Sequence, residues 1–170
     1  ATCGIRRIER AWTNRLMDNS TDFGIDSRIV DDSLSAVIDE DTGVRMWAST
    51  VSILARGPIA EPAVDTAIGL ALGYVQSGKT SSMATLIAQA ADQGYKVIVA
   101  LLGGTNILLE QNQTRIRDTL RIDQRTDYRW IVEENPKGRA GGASIKEWLE
   151  RQRIVFVPVL KHAGRIRGVA

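Results

Sequence analysis

Four residues within "GYVQSGKTSS", residues 73–82, have the types and spacing to hold phosphate: Gly73, Gly78, Lys79 and Thr80 spell G-x-x-x-x-G-K-[ST]. In such a loop the backbone N–H groups form an anion-binding nest, and the helix start behind it adds roughly half a positive charge. Gly78 lets the backbone approach a phosphate with no side chain in the way. The Lys79 ammonium would reach the β- and γ-phosphates of a nucleoside triphosphate such as ATP, and the Thr80 hydroxyl would hold Mg²⁺. Gln76, Ser77 and Gly78 would cradle the phosphates with their amides, flanked by Gly73 and Ser81. Lys79 and Thr80 are the residues expected to serve catalysis.

A phosphate loop must follow a buried strand and open a helix, and the flanking sequence supplies both. "AIGLALGYV", residues 67–75, is a short apolar run of the kind buried on both faces of a sheet. "KTSSMATLIAQAADQGY" reads as a helix with Gly94 as its C-cap. "KVIVALLGG" is a second buried strand. "TNILLEQNQTRIRDTLRI" is a second helix, with Ile107, Leu108, Gln111 and Ile116 set for one face. "YRWIVEE" offers a third strand and "NPKGRAGGAS" a loop. "SIKEWLERQ" reads as a short helix in which Ser144 as N-cap and Glu147 three residues later form a capping box. "RIVFVPVL" is a further buried strand. This alternation predicts an α/β fold with a parallel sheet over residues 67–170.

Residues 1–66 read as a separate lead-in, helical and then irregular. "IRRIERAWTNRLMD" places Ile5, Ile8, Trp12 and Leu16 near helical spacing. "DDSLSAVIDEDTG" has turn-type residues at both ends, and Gly57, Pro58 and Pro62 mark a connector. The 170-residue chain is long enough for a real core, and its 44% hydrophobic and 25% charged residues are ordinary for a globular protein. No apolar run is long enough to cross a membrane, and the N-terminus lacks the apolar core of a signal peptide. The single Cys3 allows no internal disulfide, which fits a cytoplasmic setting. The net charge is +2, unevenly spread: residues 1–72 carry seven Arg against eleven acids, and the remainder fifteen Lys and Arg against nine. The basic half is suited to nucleic-acid phosphate, although a solvated surface of mixed sign gives the same count.

An ATPase of this kind needs an acid at the end of another strand to hold Mg²⁺ and place the attacking water. Asp39 and Glu40 in "AVIDED" precede the loop and read as a solvated turn. Glu133 and Glu134 after "YRWIV" are better placed, but their segment is short and meets Asn135 and Pro136 at once. The acidic strand is expected to be missing. His162 is the only histidine and Cys3 the only cysteine, so zinc sites and Ser/His or Cys/His catalysis have no material. No Pro-Asp followed by E-x-K spacing marks a restriction-type nuclease centre. Trp12, Trp47, Trp130 and Trp148 read as core residues rather than as base-stacking platforms.

Residues 72–116 resemble a superfamily II helicase-like ATPase core, and more closely the "Z-one" domain of bacterial proteins assigned as endonucleases, whose loop reads G-x-V-Q-S-G-K-T. Gly73, Val75, Gln76, Ser77, Gly78, Lys79 and Thr80 match it directly. The resemblance implies a partial RecA-like sheet preceded by a mostly helical segment. It also implies that Thr105, Asn106 and Gln111 lie where helicases touch the nucleic-acid backbone. "VLKHAGRI" and "IDEDTGVRMWASTVSILARG" are similar to flanking parts of the same family. The family's acidic strand would follow "VLKHAGRI". The expectation is therefore an N-terminal piece of an ATP-dependent, DNA-acting restriction or conflict protein, working with the remaining domains of a parent chain. Two other readings stay open: a small P-loop phosphotransferase, and a non-enzymatic interaction module.

Overall fold

The computed structural model describes residues 24–55, 78–134, 136 and 138–164. They fall into two compact units, one running to Gly94 and one from Tyr95. The expected helix at residues 5–16 and the expected strand at residues 67–75 lie outside the described residues.

Among the described residues the first unit holds three helices, α1 (Ile25–Leu34), α2 (Glu40–Leu54) and α3 (Lys79–Asp92). The stretch expected to turn irregular is thus two helices joined by the turn at residues 35–38. Asp39 supplies the boundary signal, since its side chain accepts from the Thr42 N–H at 2.9 Å and caps α2. Both α1 and α2 pack on α3. Ala84, Ala88 and Ala91, at near-helical spacing and all buried, give α3 a shallow side that neighbouring helices can approach closely. Val30, Leu34, Trp47, Val51 and Ile87 are buried with them. The Trp47 indole N–H donates to Asp31 at 3.1 Å and ties α2 to α1. The predicted stop of α3 is present: Gly94 has φ 97° and its N–H donates to the Ala91 carbonyl.

The start of α1 has no cap of its own. Asp92, from the last turn of α3, supplies one, accepting from the N–H groups of Asp26 at 3.1 Å and Ser27 at 2.8 Å. A carboxylate there is badly placed for its own helix, whose C-terminus is negative, and well placed for the positive end of α1. Gly24 permits the approach, because a Cβ at that position would collide with the Asp92 side chain.

In the second unit three parallel strands, β1 (Val97–Leu101), β2 (Trp130–Val132) and β3 (Ile154–Val159), are ordered β1-β3-β2. Helix α4 (Asn106–Thr119) and a 3₁₀ turn (Ile122–Gln124) connect β1 to β2, and α5 (Gly138–Glu150) connects β2 to β3. The first connection passes over β3 and the second returns to it, so right-handed crossovers place α4 and α5 on opposite faces. Ile145, Trp148 and Leu149 of α5 pack on Val155, Val157 and Val159. That leaves the Ile154 and Phe156 face to α4, whose buried residues are Leu109 and Ile116. All six residues of β3 are buried.

Three expectations need correction. The face of α4 turned to the core carries Leu109 and Ile116, whereas Ile107 is 68% and Leu108 46% exposed and Gln111 is exposed too. β1 is half covered: Val97, Val99 and Leu101 share the α5 side of the sheet with their register partners on β3, yet α5 packs on β3 and leaves them exposed. The supposed loop before Ser144 is the first half of α5, so Ser144 is interior to the helix and is not its N-cap. Gly141 explains the misreading, because the helix passes so close to Pro136 that a Cβ would collide with it.

Replacing Asp92 by Ala leaves the Asp26 and Ser27 N–H groups uncapped and should cost about 1–2 kcal/mol, read as a lowered Tm. Asn at the same position still accepts and should recover most of that loss.

Candidate functional site

The first unit presents the second half of the phosphate-loop motif. Gly78 sits at φ 72°, in the left-handed region, immediately before α3, and Lys79 and Thr80 open the helix. Among the described residues no atom lies within 4 Å of a Cβ built on Gly78, so their packing makes no demand for glycine there and the backbone angle does. Gly78 and Lys79 are exposed, Thr80 and Ser81 partly so. The Gly78 carbonyl accepts the first helical bond, from Ser82 N–H at 3.1 Å. The N-cap residue of α3, Gly78, has no side chain to cap it, and no acidic residue lies in the first turn of the helix. The positive end of the helix is therefore not offset by a carboxylate of its own first turn. Gly73, Gln76 and Ser77 lie outside the described residues.

The second unit gathers its polar loops at the C-terminal edge of the sheet, where the parallel strands all end. Leu102 N–H donates to Val159 O and Lys161 N–H to Gly103 O, joining the loop after β1 to the one after β3. Thr105 caps α4 by accepting from Leu108 N–H at 3.3 Å, and Asn106 is the first helical residue. Both are exposed, and again no acid lies in the first turn. Gln111 is five residues beyond Asn106, so at roughly 100° per residue it projects from another side of α4, that of Ile107 and Leu108. Of the three residues expected to meet nucleic acid, two share the helix start and the third does not.

The candidate acids have structural partners. Asp39 caps α2, and the hydrogen bonds it receives from Thr42 hold its carboxyl below the ordinary carboxylate range. Glu40 lies in the first turn of the same helix. Glu133 and Glu134 follow β2. Glu133 accepts from the Ser144 hydroxyl at 3.0 Å, which is what Ser144 does in place of capping. Glu134 accepts from Gln113 at 3.0 Å and from Arg117 at 3.3 Å, and Arg117 also makes a two-pronged bond to Asp123. That bonding to Asp123 raises the Arg117 pKa above its ordinary value. His162 accepts from Gly164 N–H at 3.3 Å in the turn after β3. Among the described residues no group of three His, Cys, Asp or Glu side chains could hold a metal ion. No helix among them is long and apolar enough to cross a membrane.

Trp47 and Trp130 are buried and Trp148 is partly buried against β3, as the core reading expected; Trp12 lies outside the described residues. The sequence reading missed the Asp92 cap and the Ser144–Glu133 bond. Both join residues whose proximity only the tertiary fold creates.

Comparison of the chain with protein-family models, with curated proteins and with solved structures found no match.

Because the Asp39 pKa is lowered in the folded state, its contribution is present above the unfolded carboxylate value and is lost as pH falls through the folded one. Asp39→Ala should therefore lower Tm at neutral pH, and the gap to the parent should close on acidification below about pH 4. A gap that stays constant with pH would show that the carboxylate is not the cap.

Proposed function

We propose that the chain binds a nucleoside triphosphate with Mg²⁺ and belongs to the working part of a helicase-like, ATP-dependent protein that acts on DNA. The observation that carries this reading is Gly78 in the left-handed conformation, directly ahead of a helix that opens with Lys79 and Thr80. Left-handed glycines also serve ordinary turns, as Gly94 and Gly103 do, but this one stands directly before Lys79 and Thr80 at a helix start, the arrangement a phosphate nest uses. In this reading Lys79 holds the β- and γ-phosphates and Thr80 the Mg²⁺, with Ser81, Ser77, Gln76 and Gly73 around them. When bound, Mg²⁺ would neutralise charge on the phosphate oxygens. The DNA part of the reading rests on the start of α4, where Thr105 and Asn106 are exposed at a helix N-terminus with no acid in its first turn.

Titration with a fluorescent ATP analogue and Mg²⁺ should give saturable binding. Lys79→Ala should weaken it about 10- to 100-fold through loss of charge-assisted hydrogen bonds. Equal affinity in the two proteins, or none in either, would remove the nucleotide reading and leave an interaction module. Turnover onto a small acceptor rather than onto water would move the reading to a phosphotransferase.

A further inference from the structure

The opposite edge of the sheet, where its strands begin, has a chemistry that the proposed nucleotide and DNA contacts do not use. The described residues with positive φ other than glycine are Arg121, Tyr128 and Gln152. Arg121 and Tyr128 lie in the connection from α4 to β2, and Gln152 in the turn from α5 to β3. Since Trp130 pairs with Ile154, Tyr128 and Gln152 stand at the same level on neighbouring strand starts. Tyr128 is held there firmly. The Arg153 guanidinium donates to its carbonyl, Arg129 N–H donates to Asp127 at 3.1 Å, and Asp127 is paired with Arg125, whose side chain is only 6% exposed.

This fixed loop points its aromatic residue outward, for Tyr128 is 71% exposed at φ 50°. Packing does not call for tyrosine at that position, and its backbone angle favours Gly, Asn or Asp. A disfavoured backbone angle at a residue whose ring stands in solvent is a pointer to function. The surroundings are basic. Register sets Lys96, beside the start of β1, level with Ile154 and Trp130. Alternation turns it to the α4 side of the sheet, while Arg153 and Arg129 fall on the α5 side; the three strand starts span about 10 Å at the usual strand spacing. Arg151, above the Trp148 ring and paired with Glu147, flanks them. Asp123 and Asp127 are the carboxylates of the same connection, and each is engaged by an arginine, Arg117 and Arg125 respectively. Among the described residues Lys96 has no ion pair.

We propose that this rim binds a single-stranded polynucleotide, with the exposed Tyr128 ring as a platform on which a base stacks and Lys96 and Arg153, from the two sides of the strand starts, meeting its phosphates. The aromatic ring decides between a nucleic acid and an acidic peptide. Basic side chains alone would serve either, but a rigid, outward ring beside them suits a base. The rim is distinct from the start of α4, so the inference stands or falls apart from the proposed function.

The test is fluorescence anisotropy of labelled oligo-dT and oligo-U on the full chain without nucleotide, over a salt series. The variants are Tyr128→Asn, Lys96→Glu and the pair Thr105→Ala with Asn106→Ala, with duplex DNA and polyglutamate as competitors. Asn tolerates positive φ, so Tyr128→Asn should leave Tm equal to or above the parent's while weakening single-strand binding about tenfold. Lys96→Glu should reduce the salt slope by at least about one phosphate contact. The ratio of oligo-dT to oligo-U affinity tells whether DNA or RNA is preferred, and binding of either supports the rim. Undiminished binding by Tyr128→Asn, no binding by the parent, or displacement by polyglutamate as readily as by single strands would overturn it. Loss confined to the Thr105 and Asn106 pair would overturn it and leave the proposed DNA contact standing.

Discussion

Every element of the second unit is positioned by the burial of β3. A strand paired along both edges and covered on both faces has one register available, because a slip of one residue would exchange its two apolar faces and strip its hydrogen bonds. Ile154 to Val159 meet that condition with no exposed position. Burying side chains of this kind contributes about 1.5–3 kcal/mol each before the cost of ordering the chain, so the strand outweighs any surface ion pair nearby. Once β3 is fixed, β1 and β2 have their alignment, and the two crossovers have their faces.

Pro158 shows how the strand also ends the sheet. Ile154 N–H bonds toward Arg129 O on the β2 side, and Glu133 N–H bonds to Phe156 O. By that alternation the group Pro158 lacks is the one that would have bonded toward β2 one step further on. The last β2 pair is Val132 with Phe156, so proline falls where the ladder stops. Beyond the last strand pair, the Glu133 side chain meets the Ser144 hydroxyl and Glu134 meets Arg117 and Gln113. The first unit is governed differently, by a run of alanines on α3 that admits two helices and by a carboxylate at its end that caps one of them.

Most of the second unit's elements can be read from the amino-acid sequence because they are set by local pattern. The runs around Val97 and Ile154 declare strands on their apolar pattern alone, and in the first unit the periodic residues before Gly94 declare a helix in the same way. Side-chain orientation was harder. Ile107 and Leu108 are as apolar as Leu109, and only the angle at which α4 meets the sheet decides which of them is buried. The glycines before Ser144 have low helix propensity, and the close pass over Pro136 overrides it. In the candidate site, Gly78, Lys79 and Thr80 were legible because a phosphate nest has a local code. Thr105 and Asn106 were reached through a resemblance, and Gln111, reached the same way, lies around the helix from them. Tyr128 carried no signal, since a strained angle is invisible until neighbouring strands and an arginine impose it.

A parallel sheet has polar ends, and the order β1-β3-β2 sharpens the distinction between them. The chain leaves β1 for α4 on one face and leaves β2 for α5 on the other, so the two outgoing connections part above the end of β3. In open α/β sheets a crevice forms where successive connections diverge in this way. Here the loops of Gly103 to Asn106, Glu133 and Glu134, and Lys161 and His162 stand around that end. The hydrogen bond from Lys161 N–H to Gly103 O closes the β1 side, while the early finish at Pro158 opens the β2 side. Strand order, a proline and one strand's length together place the exposed start of α4 at the edge where such a fold binds its ligands.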